Sequence, residues 1–313
     1  MNGMVMVPAY RRARVAVVAA FALTLILPAR AADSQSCRDL ERRFDLMKAD
    51  ATSMQLSLAL FAVADAGCLP LARRLIEAGA SLEARDRLGA MVLARAARAG
   101  HTALVEFFLA NGAPTDARNL AGATALYAAS ENERPATVAP LLAKGADPNL
   151  SGRSGVTPLA AAAFKGNDRI VEQLIARGAD PDVVDGTGKA GITYAAARGF
   201  AQIVRRLLDA GVDARRAYGN ELTALMWAAG HEDGVGSRAA IEVVELLLGA
   251  GAAIDALDNR GRSALMIAAE RGDAAVVEFL LSRGADRSIA DNNGKHAFDL
   301  AANEDVREKL RTK

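Results

Sequence analysis

A short phrase, Gly-Ala-Asp or a close variant, returns along this chain at Gly79, Gly112, Gly145, Gly178, Gly211, Gly251 and Gly284. The steps between these glycines are 33, 33, 33, 33, 40 and 33 residues. Chance does not hold a register over seven copies. A period in the range of about 20–50 residues marks an architecture of stacked, near-identical units. The long step carries seven extra residues near His231–Ser237, "HEDGVGS", which start acidic and are rich in glycine. They are expected to form an exposed, mobile loop between the two helices of their copy. Insertions of this kind map to loops and often to a functional face.

One period shows what each unit builds. In "GVTPLAAAAFKGNDRIVEQLIARGAD", residues 155–180, Thr157 can cap a helix whose first position is Pro158. An alanine-rich helix follows and ends at Gly166. "DRIVEQLIARG" then reads as a second helix, with Ile170, Val171, Leu174 and Ile175 on one face, stopped by Gly178. The next stretch, "ADPDVVDGTGK", turns back through aspartates and glycines as an extended hairpin-like loop. Thr124, Thr223 and Ser263 open their copies in the same way. The copies starting at Met91 and Ala190 have no capping side chain, so those helix starts should be less well held.

With these residues in place the unit resembles the ankyrin repeat. Thr157-Pro158-Leu159-Ala160 is the best copy of that family's opening motif, and Gly100-His101 supplies its interhelix pair. Asp86, Asp185, Asp258 and Asp291 stand where the family carries its loop aspartate. The resemblance covers roughly residues 51–310 and implies an all-α solenoid of helix-turn-helix units joined by hairpin loops. About seven repeats are expected, with a C-terminal capping repeat at "GKHAFDLAANEDVREKLRTK", whose charged outer face suits the end of a stack. Residues 32–50 should add an N-terminal capping helix, amphipathic through Leu40, Phe44, Leu46 and Met47, ahead of a repeat domain at 51–313.

Composition agrees with this reading. The chain is 51% hydrophobic but only 4% aromatic. Such a core must be made of Ala, Leu, Val and Ile. Pairs such as Ala162-Ala163, Ala195-Ala196, Ala228-Ala229 and Ala268-Ala269 would let neighbouring helices come close.

Residues 1–31 have the pattern of a secretory signal. Arg11, Arg12 and Arg14 precede the 13-residue apolar run "VAVVAAFALTLIL", and Pro28 leads to the small-x-small site Ala29-Arg30-Ala31. Cleavage is expected after Ala31. The rival, a membrane anchor, needs about 20 apolar residues. A periplasmic or secreted location follows, with no membrane attachment of the mature chain. In an oxidising compartment Cys37 and Cys68 are expected to form a disulfide if geometry allows, the alternative being two separate buried thiols.

The formal charge of the whole chain is +1, and it becomes −3 once the four arginines of residues 1–31 are removed. That balance carries no electrostatic footprint for nucleic acid. His101, His231 and His296 fall in different repeats without metal-ligand spacing, so no metal site is expected. Neither a nucleophile elbow nor a phosphate loop is present, and no catalytic residue or cofactor is assigned.

The resemblance instead implies a scaffold that binds another protein through a concave face of loop tips and first-helix positions, acting as a monomer. Phe164, Lys165, Tyr194, Arg198, Tyr218 and Trp227 are the candidate contact residues. They gather Tyr, Trp and Arg, types favoured at interface hot spots, in a chain poor in aromatics. Tyr194 and Trp227 have a plain alternative role as fillers between repeats. The partner's identity stays open between a periplasmic protein, an envelope component supporting enzymes there, and a host protein met by a secreted effector.

Overall fold

The recurring glycines close helices. All seven, from Gly79 to Gly284, have φ between 82° and 100°. A residue without Cβ adopts this left-handed geometry at least cost, which is why the phrase keeps its glycine in every copy.

The computed structural model describes residues 30–311, and only the helical backbone of residues 30–34. The expected signal segment, residues 1–31, lies outside the described residues except for the backbone of its last two. A leading helix, α1 (Arg30–Met47), precedes eight helix pairs. The first four pairs are α2 (Ser53–Ala66) with α3 (Leu69–Glu77), α4 (Val92–Ala99) with α5 (Thr102–Ala110), α6 (Ala125–Glu131) with α7 (Pro135–Ala143), and α8 (Pro158–Lys165) with α9 (Asp168–Ile175). Next come α10 (Gly191–Ala197) with α11 (Ala201–Asp209), α12 (Ala224–Ala229) with α13 (Ser237–Gly249), and α14 (Ala264–Arg271) with α15 (Ala274–Ser282). The short α16 (Ala297–Leu300) and α17 (Glu304–Arg311) close the stack. Among the described residues there is no strand, only two isolated bridges at hairpin bases. This is the all-helical solenoid that the period predicts.

First helices pack on first helices from α2 to α16, and second helices on second helices from α3 to α17. The alanine pairs 162–163, 195–196, 228–229 and 268–269 are fully buried between them. Second helices contribute a repeated apolar set, such as Ile170, Val171 and Leu174, then Ile203, Val204 and Leu207, also fully enclosed. Helix starts follow the caps in the sequence. Thr124, Thr157, Thr223 and Ser263 each accept an N–H from the third helical residue, whereas Met91 and Ala190 provide no side-chain cap.

The hairpin loops are held by their aspartates. Asp86 Oδ1 accepts the N–H groups of Leu88 (2.8 Å) and Ala90 (2.9 Å), and Asp185, Asp258 and Asp291 do the same in their loops. Asn119 fills this place in a fifth loop. Backbone bonds then tie tip to tip: Leu120 N–H to Leu88 O at 2.9 Å, Gly186 to Ser154 at 2.8 Å, and Asn292 to Arg260 at 2.9 Å. Where the carboxylate is missing, at Gly152 and Tyr218, the tip tightens into a 3-10 turn, Arg153–Gly155 or Gly219–Glu221.

The first end of the stack is covered by α1. Cys37 and Cys68 are joined by a disulfide, with Cα atoms 5.5 Å apart. Phe44 is buried, Arg74 lies over its ring at 4.9 Å, and Arg74 also pairs with Asp45 at 2.5 Å. Leu46 does not join the buried face; it is 89% exposed. Two residues beyond Phe44 is roughly 200° around a helix, which turns Leu46 to solvent.

The insertion also differs from the free loop expected. His231 is buried, and its Nε2 lies 3.0 Å from Asp273 Oδ2, the same oxygen that accepts Ser237 Oγ at 2.7 Å. One carboxylate of the next repeat therefore grips both ends of the seven-residue excess. Glu232 N–H reaches back to Ala197 O at 2.7 Å, and Asp233 pairs with Arg271 at 3.0 Å. Glu232, Asp233, Gly234 and Gly236 are exposed, while Val235 and Ser237 are half-buried.

Two outcomes are expected from these contacts. Asp273→Ala leaves His231 and Ser237 without their shared acceptor and removes the cap of α15, so it should cost about 3 kcal/mol in thermal or denaturant unfolding. Reduction of Cys37–Cys68 releases a crosslink worth about 3–4 kcal/mol in the chain-entropy picture. Because each repeat leans on its neighbours, amide exchange should speed up in α1, α2 and α3 and leave α12 to α15 unchanged.

Candidate protein-binding face

Successive first helices place equivalent residues 33 positions apart. One such column runs Arg95, Ala128, Ala161, Tyr194, Trp227. In the middle of the stack it passes from alanine to large aromatic rings. Tyr194 on α10 meets Phe164 on α8 edge to face, with ring centres 5.6 Å apart and planes at 82°. Cations cover the ring faces. Arg198 Cζ lies 4.6 Å from the Phe164 centroid and 5.5 Å from that of Phe200. Lys189 Nζ lies 4.7 Å from the Trp227 ring and 5.6 Å from that of Tyr194. Lys165 Nζ stands farther off, 6.0 Å from Phe164. Each such contact contributes about 0.5–1 kcal/mol at a partly exposed site.

Tyr127 on α6 extends the group to a fourth repeat. Its hydroxyl donates to Glu131 Oε1 at 3.2 Å, and any Cβ at position 152 would lie 2.8 Å from its ring, so glycine is required there. Burial first, and then the Glu131 charge, push the Tyr127 hydroxyl up to about 12. Between Tyr127, Phe164 and Tyr194 is a cleft of about 250 Å³, lined also by Glu131, Val156, Ala161 and Lys165. The cleft exists because the column holds alanine at 161 where the next two repeats hold Tyr194 and Trp227.

Tyr194 also has an internal task. Its hydroxyl donates to Asp185 Oδ2, while Asp185 Oδ1 accepts the N–H groups of Thr187 (2.7 Å) and Lys189 (3.1 Å) and the Thr187 hydroxyl (2.7 Å). Burial opposes the Asp185 charge, but bonds from Tyr194, Thr187 and the Lys189 backbone outweigh it and hold the carboxyl below its ordinary range. Burial and the same carboxylate push the Tyr194 hydroxyl well above a free phenol. Arg95 serves Asp86 in the same way three periods earlier in the register, at 3.0 Å. Trp227 is half-buried, and its indole N–H is enclosed without an acceptor among the described residues.

Five of the six residues picked from the sequence, Phe164, Lys165, Tyr194, Arg198 and Trp227, come together here. Tyr218 does not stand with them. It is 7% exposed, beside Asp182, which pairs with Arg216 at 3.0 Å, and Arg216 stacks 5.4 Å from its ring. Position 218 is 33 residues after Asp185, the loop aspartate, so its side chain points into the hairpin rather than out from the tip. Lys189 and Tyr127 are the contributors that sequence reasoning missed. Lys189 is a loop residue with no motif. Tyr127 occupies the fourth place of the repeat's opening motif, where it reads as a core position.

A protein-family model described as ankyrin repeats, three copies, matches residues 60–151, 159–237 and 234–311. The second and third matches meet inside the insertion. The chain belongs to the ankyrin-repeat family, whose repeats are generally protein–protein interaction modules. Comparison with curated proteins gave no match.

Tyr194→Phe removes a donor to a buried carboxylate and should cost about 1–3 kcal/mol. The effect has a pH signature. A carboxyl held below its unfolded value near pH 3.9 stabilises the fold fully above that value and loses its contribution as pH falls through the folded pKa. Without the Tyr194 hydroxyl the folded pKa of Asp185 rises, so acid melts of the variant should begin at higher pH than those of the parent.

Proposed function

We propose that this chain is an exported scaffold that holds a partner protein against the face formed by α8, α10 and α12. The observation that carries the reading is the cation–aromatic group of Phe164, Tyr194, Trp227, Lys189 and Arg198. A stack built on alanine contacts does not need rings and cations at these positions; Ala128 and Ala161 serve in the same column. Large rings with guanidinium and ammonium groups over them are what a protein interface concentrates. The family supports a protein as the partner.

Export to a periplasmic or extracellular location is supported by two features. Residues 1–31 carry the basic, apolar and small-residue pattern of a secretory signal. The Cys37–Cys68 bridge is a structural disulfide, a type that persists in oxidising compartments.

Both halves of the reading have a direct test. Sequencing of the mature protein should begin at Ala32; an N-terminus at Met1 would refute export. A photo-crosslinking residue placed at Trp227 or Phe164 in intact cells should capture a protein, while the same probe on the second-helix side, at Arg205, should not. Failure of both first-helix probes would remove this face as the binding surface.

A further inference from the structure

We propose that His231 is a proton-operated switch for the seven-residue insertion, tied to Asp273 at the start of α15 when its Nε2 carries a proton and to Arg271 at the end of α14 when it does not. The inference concerns the insertion alone and stands whichever face of the stack binds a partner.

The imidazole is 4% exposed, so its partners are protein groups rather than bulk water. Nδ1 lies 3.2 Å from the Glu232 carbonyl oxygen, which can only accept, so this nitrogen keeps its proton in both states. Nε2 is the contested atom. It lies 3.0 Å from Asp273 Oδ2 and 3.4 Å from Arg271 Nε. Burial opposes the Asp273 charge, but bonds from Ser237, His231 and the Val276 N–H outweigh it and hold the carboxyl below its ordinary range. Asp273 is therefore an acceptor only, and Arg271 a donor only.

No protonation state suits both neighbours of Nε2. With its proton the ring is an imidazolium that donates to Asp273 and turns an N–H toward the N–H of Arg271. Without it, Nε2 accepts from Arg271, and two unprotonated atoms face each other 3.0 Å apart at Asp273. A neutral ring protonated on Nε2 alone is worse than either, because it conflicts with Arg271 and with the Glu232 carbonyl together. Two arrangements remain, and they differ by one proton and one partner.

The charges around the ring make proton uptake the favoured step. Asp233 pairs with Arg271 Nη2 at 3.0 Å, and Glu232 stands 3.7 Å from Arg198 Nε. These match one to one and leave the Asp273 carboxylate as the unmatched charge, in contact with the ring. A nearby negative charge favours the protonated form. Histidine is the side chain whose charge ordinarily changes between about pH 5 and 8, where aspartate and arginine keep theirs. Loss of the proton frees Asp273 from His231, while Ser237 Oγ stays on the same oxygen at 2.7 Å. The insertion is then fastened to α15 at its Ser237 end alone.

The test labels the histidine ring nitrogens with 15N in the mature chain, its disulfide intact, and follows them by NMR from pH 5 to 8.5. Only three histidines need to be resolved. Nδ1 of His231 should hold its proton throughout, and Nε2 should lose its own within that range. Amide exchange, corrected for its intrinsic pH dependence, should speed up at Glu232 and Val235 by at least about threefold across the same step and stay unchanged in α8 and α9. Two variants should move the step in opposite directions by at least about half a pH unit. Asp273→Asn, which keeps an acceptor and drops the charge, moves it to lower pH; Arg271→Gln, which drops the opposing cation, moves it to higher pH. A purely structural histidine keeps one protonation state across the range, and that result overturns the inference. A step that leaves exchange in the insertion unchanged overturns it as well, and so does a step that neither variant moves.

Discussion

A single unit of this fold is too thin to bury its own apolar face, and everything else in the structure follows from the neighbour that covers it. The contact is close because the facing residues are small. Fully buried alanine pairs recur between first helices, and a Val or Ile pair with a Leu recurs between second helices. Stability in such a stack is a sum over units and nearest-neighbour interfaces. No residue in the middle feels the ends directly, so each end needs its own solution. At the start, α1 lays Phe44 over the first repeat and is fastened by Cys37–Cys68. At the finish, α17 turns Val306 and Leu310 inward, and its exposed side carries ion pairs such as Lys309–Glu278 at 2.8 Å.

Polar side chains between units fix the register that the alanines leave loose. Small apolar contacts tolerate sliding; a directional hydrogen bond does not. His101 shows the device: its Nε2 lies 2.9 Å from the Asp65 carbonyl of the preceding repeat, over Gly67, where any Cβ would lie 2.6 Å from the imidazole. Asp273 shows a stronger form. It caps α15 with one oxygen and with the other holds His231 and Ser237 across the insertion. The seven extra residues cost the stack little because their two ends are brought together on one carboxylate and the period resumes.

Much of this fold is legible in the sequence because a period is a measurement repeated many times. Gly79 alone means little; seven glycines in register locate every helix end, and the caps at Thr157 and Thr223 locate the starts. What the period does not encode is the direction of single departures from it. Tyr218 is an aromatic residue in a polar loop, which looks like an exposed contact. It stands in the register place of Asp185, so its ring is enclosed by the hairpin. His231 lies in a glycine-rich, acidic stretch that reads as free loop, and its half-buried partner, Asp273, is 42 residues away. The Lys189 ammonium reaches two rings on two different helices, and no local pattern announces that.

The same logic separates architecture from function. A column position that can be alanine in one repeat is under no packing demand to be large in the next. Ala128 and Ala161 show that the column of Tyr194 and Trp227 is such a position. Tyr194 braces Asp185 as Arg95 braces Asp86, so its hydroxyl is structural while the residue also lines the cleft. Trp227 has no counterpart bond; its indole N–H meets no acceptor among the described residues and its ring carries Lys189. Departures from the repeat that the stack itself uses, such as Tyr218 and His231, are buried. Those it does not use, Phe164, Tyr194 and Trp227, stand half-buried on α8, α10 and α12, and that division is the physical reason to look for the partner there.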